Sequence, residues 1–277
     1  MICDEDLKTK IDYSEGQKLA AYNILGEIVN LLNEYADDIL LIGGWVPSIL
    51  FESKGHIGSI DVDLLLNQVK IENTDKYENI RRILIKAGYV KSPNHYFKYV
   101  KSVEIQGQKY DVDVDFLCGK YGGKDGKESK HIDGIKALKT SGGNFAFEVP
   151  SKDIRIEYER TDGVKDFSHI NVVSIVPYFV LKTNALGRGK TKDAYDIYFC
   201  ISNYKGSIDD LVNEFLPYKE YTLIKDMCKK LKEKFYSVNH AGPNDIVNFL
   251  DETDEEERAR IKQDAFQKIN YLIEKLQ

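Results

Sequence analysis

The chain has no apolar run long enough to span a membrane, so no membrane partner is expected. Its four cysteines, Cys3, Cys118, Cys200 and Cys228, lie far apart with no CxxC spacing. That excludes a disulfide frame and a zinc ribbon, and leaves them as reduced, mostly buried small hydrophobes. The histidines His56, His95, His131, His169 and His240 are scattered without metal-ligand spacing. Only His56 draws notice, because it lies in the loop just before an acidic strand. A basic surplus is also missing: 39 Lys and Arg face 45 Asp and Glu, a net charge of -6. The whole-molecule field therefore opposes indiscriminate nucleic-acid binding without excluding a local basic groove. Residues 1–12 lack the basic and apolar regions of a signal peptide, so a cytoplasmic location is expected. Repeats and low-complexity tracts are absent.

What is present is 277 residues, 42% of them hydrophobic and 30% charged, enough for one large domain or two modest ones. Ser14 and Gln17 have capping-box spacing and open an amphipathic helix expected to run to about residue 35, with Leu19, Tyr22, Ile28 and Leu32 on its apolar side. Residues 38–42 read as a buried strand stopped by Gly43-Gly44, with a short helix over 45–51. A second strand is expected over 59–66. Thr74 is expected to cap a helix that stops at Gly88. Residues 96–105 and 109–117 read as paired strands joined around Gly107. The stretch 119–130, rich in Gly, Lys and Asp, reads as a mobile loop and a soft boundary. Short strands are expected at 145–149, 154–158 and 169–173, and helices from Pro177 almost to the end.

The segment Ser59-Ile60-Asp61-Val62-Asp63-Leu64 carries the most chemistry. Side chains alternate along a strand, so Asp61 and Asp63 share one face while Ile60, Val62 and Leu64 turn to the core. Two neighbouring carboxylates repel each other and carry a desolvation cost, which a hard divalent cation such as Mg²⁺ relieves. Phosphoryl and nucleotidyl transfer need such an ion to neutralise phosphate oxygens. Tyr110-Asp111-Val112-Asp113-Val114-Asp115-Phe116-Leu117 alternates in the same way, and one of its aspartates would complete a three-carboxylate site. The plain alternative for either strand is a solvent-facing edge whose acids keep it soluble. Asp111, Asp113 and Asp115 are spaced about 7 Å apart along one face. Asp115 is chosen as the third acid because 115–117 is expected to end the strand; Asp113 is the alternative.

Gly43-Gly44, between a buried strand and a helix, would let backbone amides approach a triphosphate, with Ser48 adding a hydroxyl. The alternative is a tight turn with no ligand. Further on, Lys182, Arg188, Lys190 and Lys192 form a basic stretch around Gly187 and Gly189 that suits a triphosphate or an acceptor backbone. Asp193 is placed either to cap the next helix, to pair with a lysine, or to act in catalysis. Asp196 is expected to face a cleft or a basic partner.

Gly43-Gly44, a helix and then Asp61-Val62-Asp63 resemble the glycine motif and h-Asp-h-Asp-h strand of polymerase-beta-type nucleotidyltransferases. Gly43-Gly44-Trp45-Val46-Pro47 with Gly58-Ser59-Ile60-Asp61-Val62-Asp63-Leu64 is most similar to the AbiEii-like branch, which includes toxins of abortive-infection and toxin–antitoxin systems. Lys182 and Arg188-Gly189-Lys190-Thr191-Lys192-Asp193-Ala194-Tyr195-Asp196 resemble its later motifs. The resemblance covers about residues 39–66 and 180–198. It departs in a long gap between Gly44 and Asp61 and in a Gly-Gly where a Gly-Ser is usual.

The resemblance implies a fold of class α/β (α+β): a mixed-sheet nucleotidyltransferase unit over 1–120, a loop and β segment over 121–173, and a mainly helical part over 174–277. It implies Asp61, Asp63 and one of Asp113 or Asp115 as metal ligands for Mg²⁺, with Mn²⁺ as an alternative. Lys182 would stand near the phosphates of an NTP substrate, and Asp193 or Asp196 would be the late acidic residue of the branch. The expected reaction moves an NMP from an NTP to an acceptor hydroxyl on RNA, such as a tRNA end, or on protein, with an antitoxin protein as partner. A small-molecule acceptor, or a non-catalytic nucleotide- or RNA-binding module, is the alternative.

Overall fold

The structure, a computed structural model, describes residues 8–73, 78–120 and 128–277. The chain divides into two compact units that are interleaved in sequence. The first comprises Ser14–Val46 and Gly58–Pro177; the second comprises Pro47–Ile57 and Tyr178–Gln277 with residues 8–13.

The first unit is a mixed sheet with helices on it. Helix α1 spans Glu15–Leu31 and starts where expected, Ser14 accepting a hydrogen bond from the Gln17 amide. It stops at Leu31, and a 3-10 segment, Asn33–Asp38, carries Tyr35 into the core instead. Strand β1 (Ile39–Ile42) leads through a 3-10 turn, Gly43–Trp45, to the short helix α2 (Val46–Leu50). Strand β2 is Asp61–Leu66, followed by the short helices α3 (Gln68–Glu72) and α4 (Ile80–Lys86). Thr74 lies outside the described residues; α4 is capped by Asn79, and Gly88 follows it with a left-handed φ of 82°, the expected stop.

The strands β3 (Val90–Lys91), β4 (Lys98–Ile105), β5 (Gln108–Gly119), β6 (Ser129–Ile132), β7 (Ile135–Thr140), β8 (Lys152–Glu159) and β9 (Lys165–Val172) complete the sheet. Its order is β3-β4-β5-β2-β1-β9-β8, with β7 pairing the far end of β5 and β6 outside it. β2 runs parallel to β5 and antiparallel to β1. Gln106 and Gly107, with φ of 52° and 79°, make the tight β4–β5 hairpin turn, whose twist matches the flanking strands.

Three expectations are corrected. Residues 145–149 are not a strand: α5 (Gly143–Glu148) occupies them, and Phe145, Ala146 and Val149 are buried at helical spacing. Gly142, with φ of 85°, permits the helix start, and a Cβ on Gly143 would meet the Gly119 backbone at 2.8 Å. The strand carrying Asp115 does not end at Leu117, because β7 pairs with Leu117, Cys118 and Gly119 and carries β5 two residues further. The expected loop over 119–130 has its centre, residues 121–127, outside the described residues; its end is already β6.

Alternation sorts the two faces of the sheet. Leu64, Val112, Val114 and Phe116 are fully buried, and α1 lies on this face: Leu32 and Leu64 line one cavity, and Tyr110 crowds Gly16. Asp61, Asp63, Asp113 and Asp115 hold the opposite parity and the opposite face.

The second unit is helical: α6 (Ile175–Ala185, shared across the boundary), α7 (Thr191–Asn203), α8 (Ile208–Phe215), α9 (Thr222–Lys234), α10 (Ala241–Phe249) and α11 (Glu255–Leu276). Aromatic rings fill its core, with Phe179 edge-on to Phe215 and Tyr195 against Phe249. The long gap after Gly44 belongs here: residues 47–57 bring Phe51 and His56 against Phe199. Among the described residues no helix is long and apolar enough to cross a membrane.

Candidate functional site: an acidic face and a buried charge knot

The register of β2 and β5 sets four carboxylates in a grid. Asp61 pairs with Asp113 and Asp63 with Asp115, all on the face away from α1. Both candidates for the third acid therefore reach the first two. Ser59 donates to Asp61 Oδ1 at 2.5 Å, a contact the sequence reading missed. Asp111, further along β5, is exposed and accepts a hydrogen bond from Ser102.

Gly43 has a structural reason to be glycine. Its φ is 75°, and a Cβ there would stand 1.9 Å from Asp63 Oδ2. The β1–β2 register, Ile42 opposite Asp63, forces this approach. The turn thus holds backbone against a carboxylate. Gly44 is buried beside it, while Ser48 is half-buried in α2 and belongs to the second unit.

The acidic face also holds a residue not singled out from the sequence. Lys98 Nζ lies 2.6 Å from Asp113 Oδ2 and 3.5 Å from Asp115 Oδ1. Burial works to lower the Lys98 pKa, but Asp115, Asp113 and Asp61 together hold it above the ordinary lysine value. Asp115 is the strained member. Burial first, then the charges of Asp61 and Asp113, outweigh Lys98 and push its carboxyl up to about 7. Its Oδ1 is buried and accepts no hydrogen bond. The hairpin was the available signal: a two-residue turn at Gln106-Gly107 sets Ile105 opposite Gln108 and hence Lys98 opposite Asp115.

These residues fit a divalent cation. The donors are hard carboxylate oxygens, one of them is an orphaned buried atom, and the Gly43 backbone comes close against Asp63 where any side chain would collide with it. Among the described residues no three side chains are already set as a metal cage; Asp113 and Asp115 are turned toward Lys98.

The late motif forms a cluster within the second unit. Lys182 Nζ is 2.7 Å from Asp193 and 2.7 Å from Asp196, and Lys192 Nζ is 3.0 Å from both Asp196 oxygens. His56 Nε2 stands 2.9 Å from Asp196 Oδ1, and both side chains are wholly buried. The His56 ring stacks on Tyr195 and meets Phe199 edge-on. Burial, helped by Lys192 and Lys182 and opposed by Asp196, pushes His56 down to about 4. Asp196 goes the other way: burial would raise its pKa, but Lys182, Lys192 and His56 together hold it well below the carboxylate range. A neutral His56 facing an ionised Asp196 must donate its Nε2–H, which fixes the tautomer.

Asp193 therefore pairs with a lysine. The N-cap of α7 is Lys190, without a side-chain cap, and Asp193 sits in the first turn. Asp193 Oδ2 is the one knot oxygen left buried without a hydrogen bond. Arg188 is exposed in the 3-10 turn Leu186–Arg188, and Lys190 is half-buried just before α7. The basic stretch thus gives Lys182 and Lys192 to the knot, with Arg188 and Lys190 in the turn and loop before α7.

No family model and no curated protein matches the chain. Among solved structures it is similar to JHP933 of Helicobacter pylori, at 13% identity and a TM-score of 0.49 over 95% of this chain and 94% of that one. It is also similar to another solved structure, of an H. pylori protein provisionally assigned as a nucleotidyltransferase, at 16% identity and a TM-score of 0.48 over 95% and 99% of the two chains. Both likenesses concern the course of the chain, and the chemistry has to be read from the residues themselves.

Proposed function

We propose that the chain is a divalent-metal-dependent nucleotidyltransferase whose site is the acidic face of β2 and β5. The carrying observation is the pairing of Asp61 with Asp113 and Asp63 with Asp115 on one face. Asp61, Asp63 and Asp115 would hold Mg²⁺, or Mn²⁺, with Asp113 beside them. The ion, when bound, neutralises phosphate oxygens of an NTP. Asp115 takes the proton of the acceptor hydroxyl as its oxygen bonds to the α-phosphorus and the bond to the β-phosphate oxygen breaks, releasing pyrophosphate. The Gly43-Gly44 turn keeps Asp63 aimed, and Arg188 and Lys190 are the loop cations offered to phosphate or to an acceptor backbone.

Lys182 plays a different part in this reading. Its ammonium is held by Asp193 and Asp196, so a phosphate would have to displace two carboxylates to reach it. It positions α6 against α7, with Asp193, Asp196, Lys192 and His56 as its partners. The resemblance points to RNA, including tRNA ends, or protein as acceptor, and to an antitoxin partner in an AbiEii-like system. A second reading, a nucleotide-binding module without catalysis, draws on Lys98, which occupies the acidic face as a built-in cation.

The test incubates the protein with labelled NTPs, Mg²⁺ and total cellular RNA and protein. Label should enter one macromolecular class. Asp61→Asn and Asp63→Asn should each lower transfer by about 10³-fold or more, as loss of a metal ligand does. Asp111→Asn, on the exposed part of β5, should keep most of it. Transfer by Asp63→Asn at the wild-type rate would remove the metal assignment; nucleotide binding without transfer by the intact protein would favour the second reading.

A further inference from the structure

We propose that Lys98 is a tethered counter-cation that competes with the divalent ion for Asp113 and Asp115, and so sets how much metal the protein needs. The inference rests on the metal reading above and adds a residue that this reading does not require. The two-residue hairpin turn fixes Lys98 directly across from Asp115, on the same face. From there its ammonium reaches diagonally to Asp113 at 2.6 Å and lies 3.5 Å from Asp115 Oδ1. All three side chains are largely withdrawn from solvent, at 17%, 21% and 15% exposure.

An oxygen engaged by an ammonium is a poorer donor to a metal, and an ammonium a few ångströms from a dication is repelled by it. Both effects oppose metal entry while Lys98 stays in place. Lysine suits a yielding role: its charge is compact and its four-carbon stem can swing the head out to water. Lys98 thus keeps Asp113 and Asp115 together in the metal-free protein and withdraws when the ion arrives. Lys101 shows the contrast. It lies on the opposite face of β4, pairs with Glu27 at 2.5 Å, and has no acidic grid to guard.

The experiment measures Mn²⁺ binding to the full chain by the paramagnetic signal of free Mn²⁺, for the wild type, Lys98→Met and Lys101→Met. Loss of a repelling charge beside the ion should make Lys98→Met bind Mn²⁺ about tenfold more tightly. Lys101→Met should match the wild type. Removing Lys98 leaves two carboxylates facing each other at a cost in stability, so a wild-type readout stands beside it. Lysines carrying isotopically labelled methyl groups keep their charge, and the Lys98 methyl resonance should move on adding Mg²⁺ while that of Lys101 stays. Equal or weaker Mn²⁺ binding by a folded Lys98→Met overturns the proposal and leaves the metal reading intact. If the variant does not fold, an unmoved Lys98 resonance at saturating Mg²⁺ overturns it. Absence of Mn²⁺ binding to wild type and variant alike removes the metal reading, and this inference with it.

Discussion

Asp115 in the first unit is largely and Asp196 in the second wholly withdrawn from solvent, and their surroundings push them in opposite directions. Asp196 has two lysines within 3.0 Å and a histidine at 2.9 Å. Asp115 has one lysine at 3.5 Å, shared with Asp113, and further acids at its side. The first arrangement compensates a buried charge; the second leaves one wanting compensation. A protein maintains the second kind at a cost in stability, and the usual return is a ligand that supplies the missing charge. The knot around Asp196 needs nothing from outside. On the proposed reading, the uncompensated acids of the first unit are where a cation and substrate would be sought, while the knot within the second unit already balances its own charges.

Removing one partner from the closed clamp should give the largest effect. Asp196→Asn leaves Lys182 and Lys192 buried with too little negative charge around them, a loss of about 3–5 kcal/mol for a broken buried pair. Denaturant unfolding of the full chain checks it. A change under about 1 kcal/mol would mean that water reaches the knot and that the comparison between the two aspartates is false.

His56 sharpens the contrast through pH. Its folded pKa of about 4 lies below the ordinary value of 6.5, so the unfolded chain binds the extra proton between those values. Stability from a neutral, buried His56 is therefore fully present above about 6.5 and is lost as pH falls toward 4. At about 1.4 kcal/mol per pK unit, the ceiling is roughly 3 kcal/mol. Asp196 acts with the same sign but at lower pH, because its carboxylate must be protonated before its share is lost. Unfolding measured across pH 4–7 should show the fall in the wild type, and His56→Gln should flatten it. A profile identical in the two proteins would move the pH sensitivity elsewhere.

Much of the site could be read in advance because strand alternation is a local rule. The parity of Asp61 with Asp63, and of Asp111, Asp113 and Asp115, follows from a period of two. The pairing of β2 with β5 does not; it is a parallel contact across some fifty intervening residues, and no local pattern states its register. Lys98 was within reach, since the hairpin turn fixes its partner by counting. His56 was noticed only for its position before the strand; its attachment to Asp196, 140 residues on, is a tertiary fact. The error at 145–149 has a local cause. Phe145, Phe147 and Val149 alternate like a strand, while Phe145, Ala146 and Val149 also fit one helix side, and the Gly142-Gly143 start decides for the helix. Between the α1 end and β1, Tyr35 extended the apolar helical pattern, but it is buried through a 3-10 segment that periodicity does not distinguish.

The smallest expected effect is the one that tests the sign of the comparison. Asp115 has a folded pKa of about 7 against an ordinary 3.8, so between those values the native state holds the proton that the unfolded chain has released. Its contribution is greatest below 3.8 and is lost as pH rises through 7, the reverse of His56. Asp115→Asn removes the titration and keeps the shape. In metal-free protein at pH 8 the variant should be more stable than the wild type, by about 1 kcal/mol once the loss of the Lys98 contact is set against the relieved repulsion. At pH 4 the two should be nearly equal. On the proposed function, the same substitution should lower nucleotidyl transfer as much as Asp61→Asn. A variant less stable at pH 8 would show that Lys98 satisfies Asp115 as fully as Lys182 and Lys192 satisfy Asp196. The two aspartates would then be alike, and the acidic face would be a second clamp with no call for a cation.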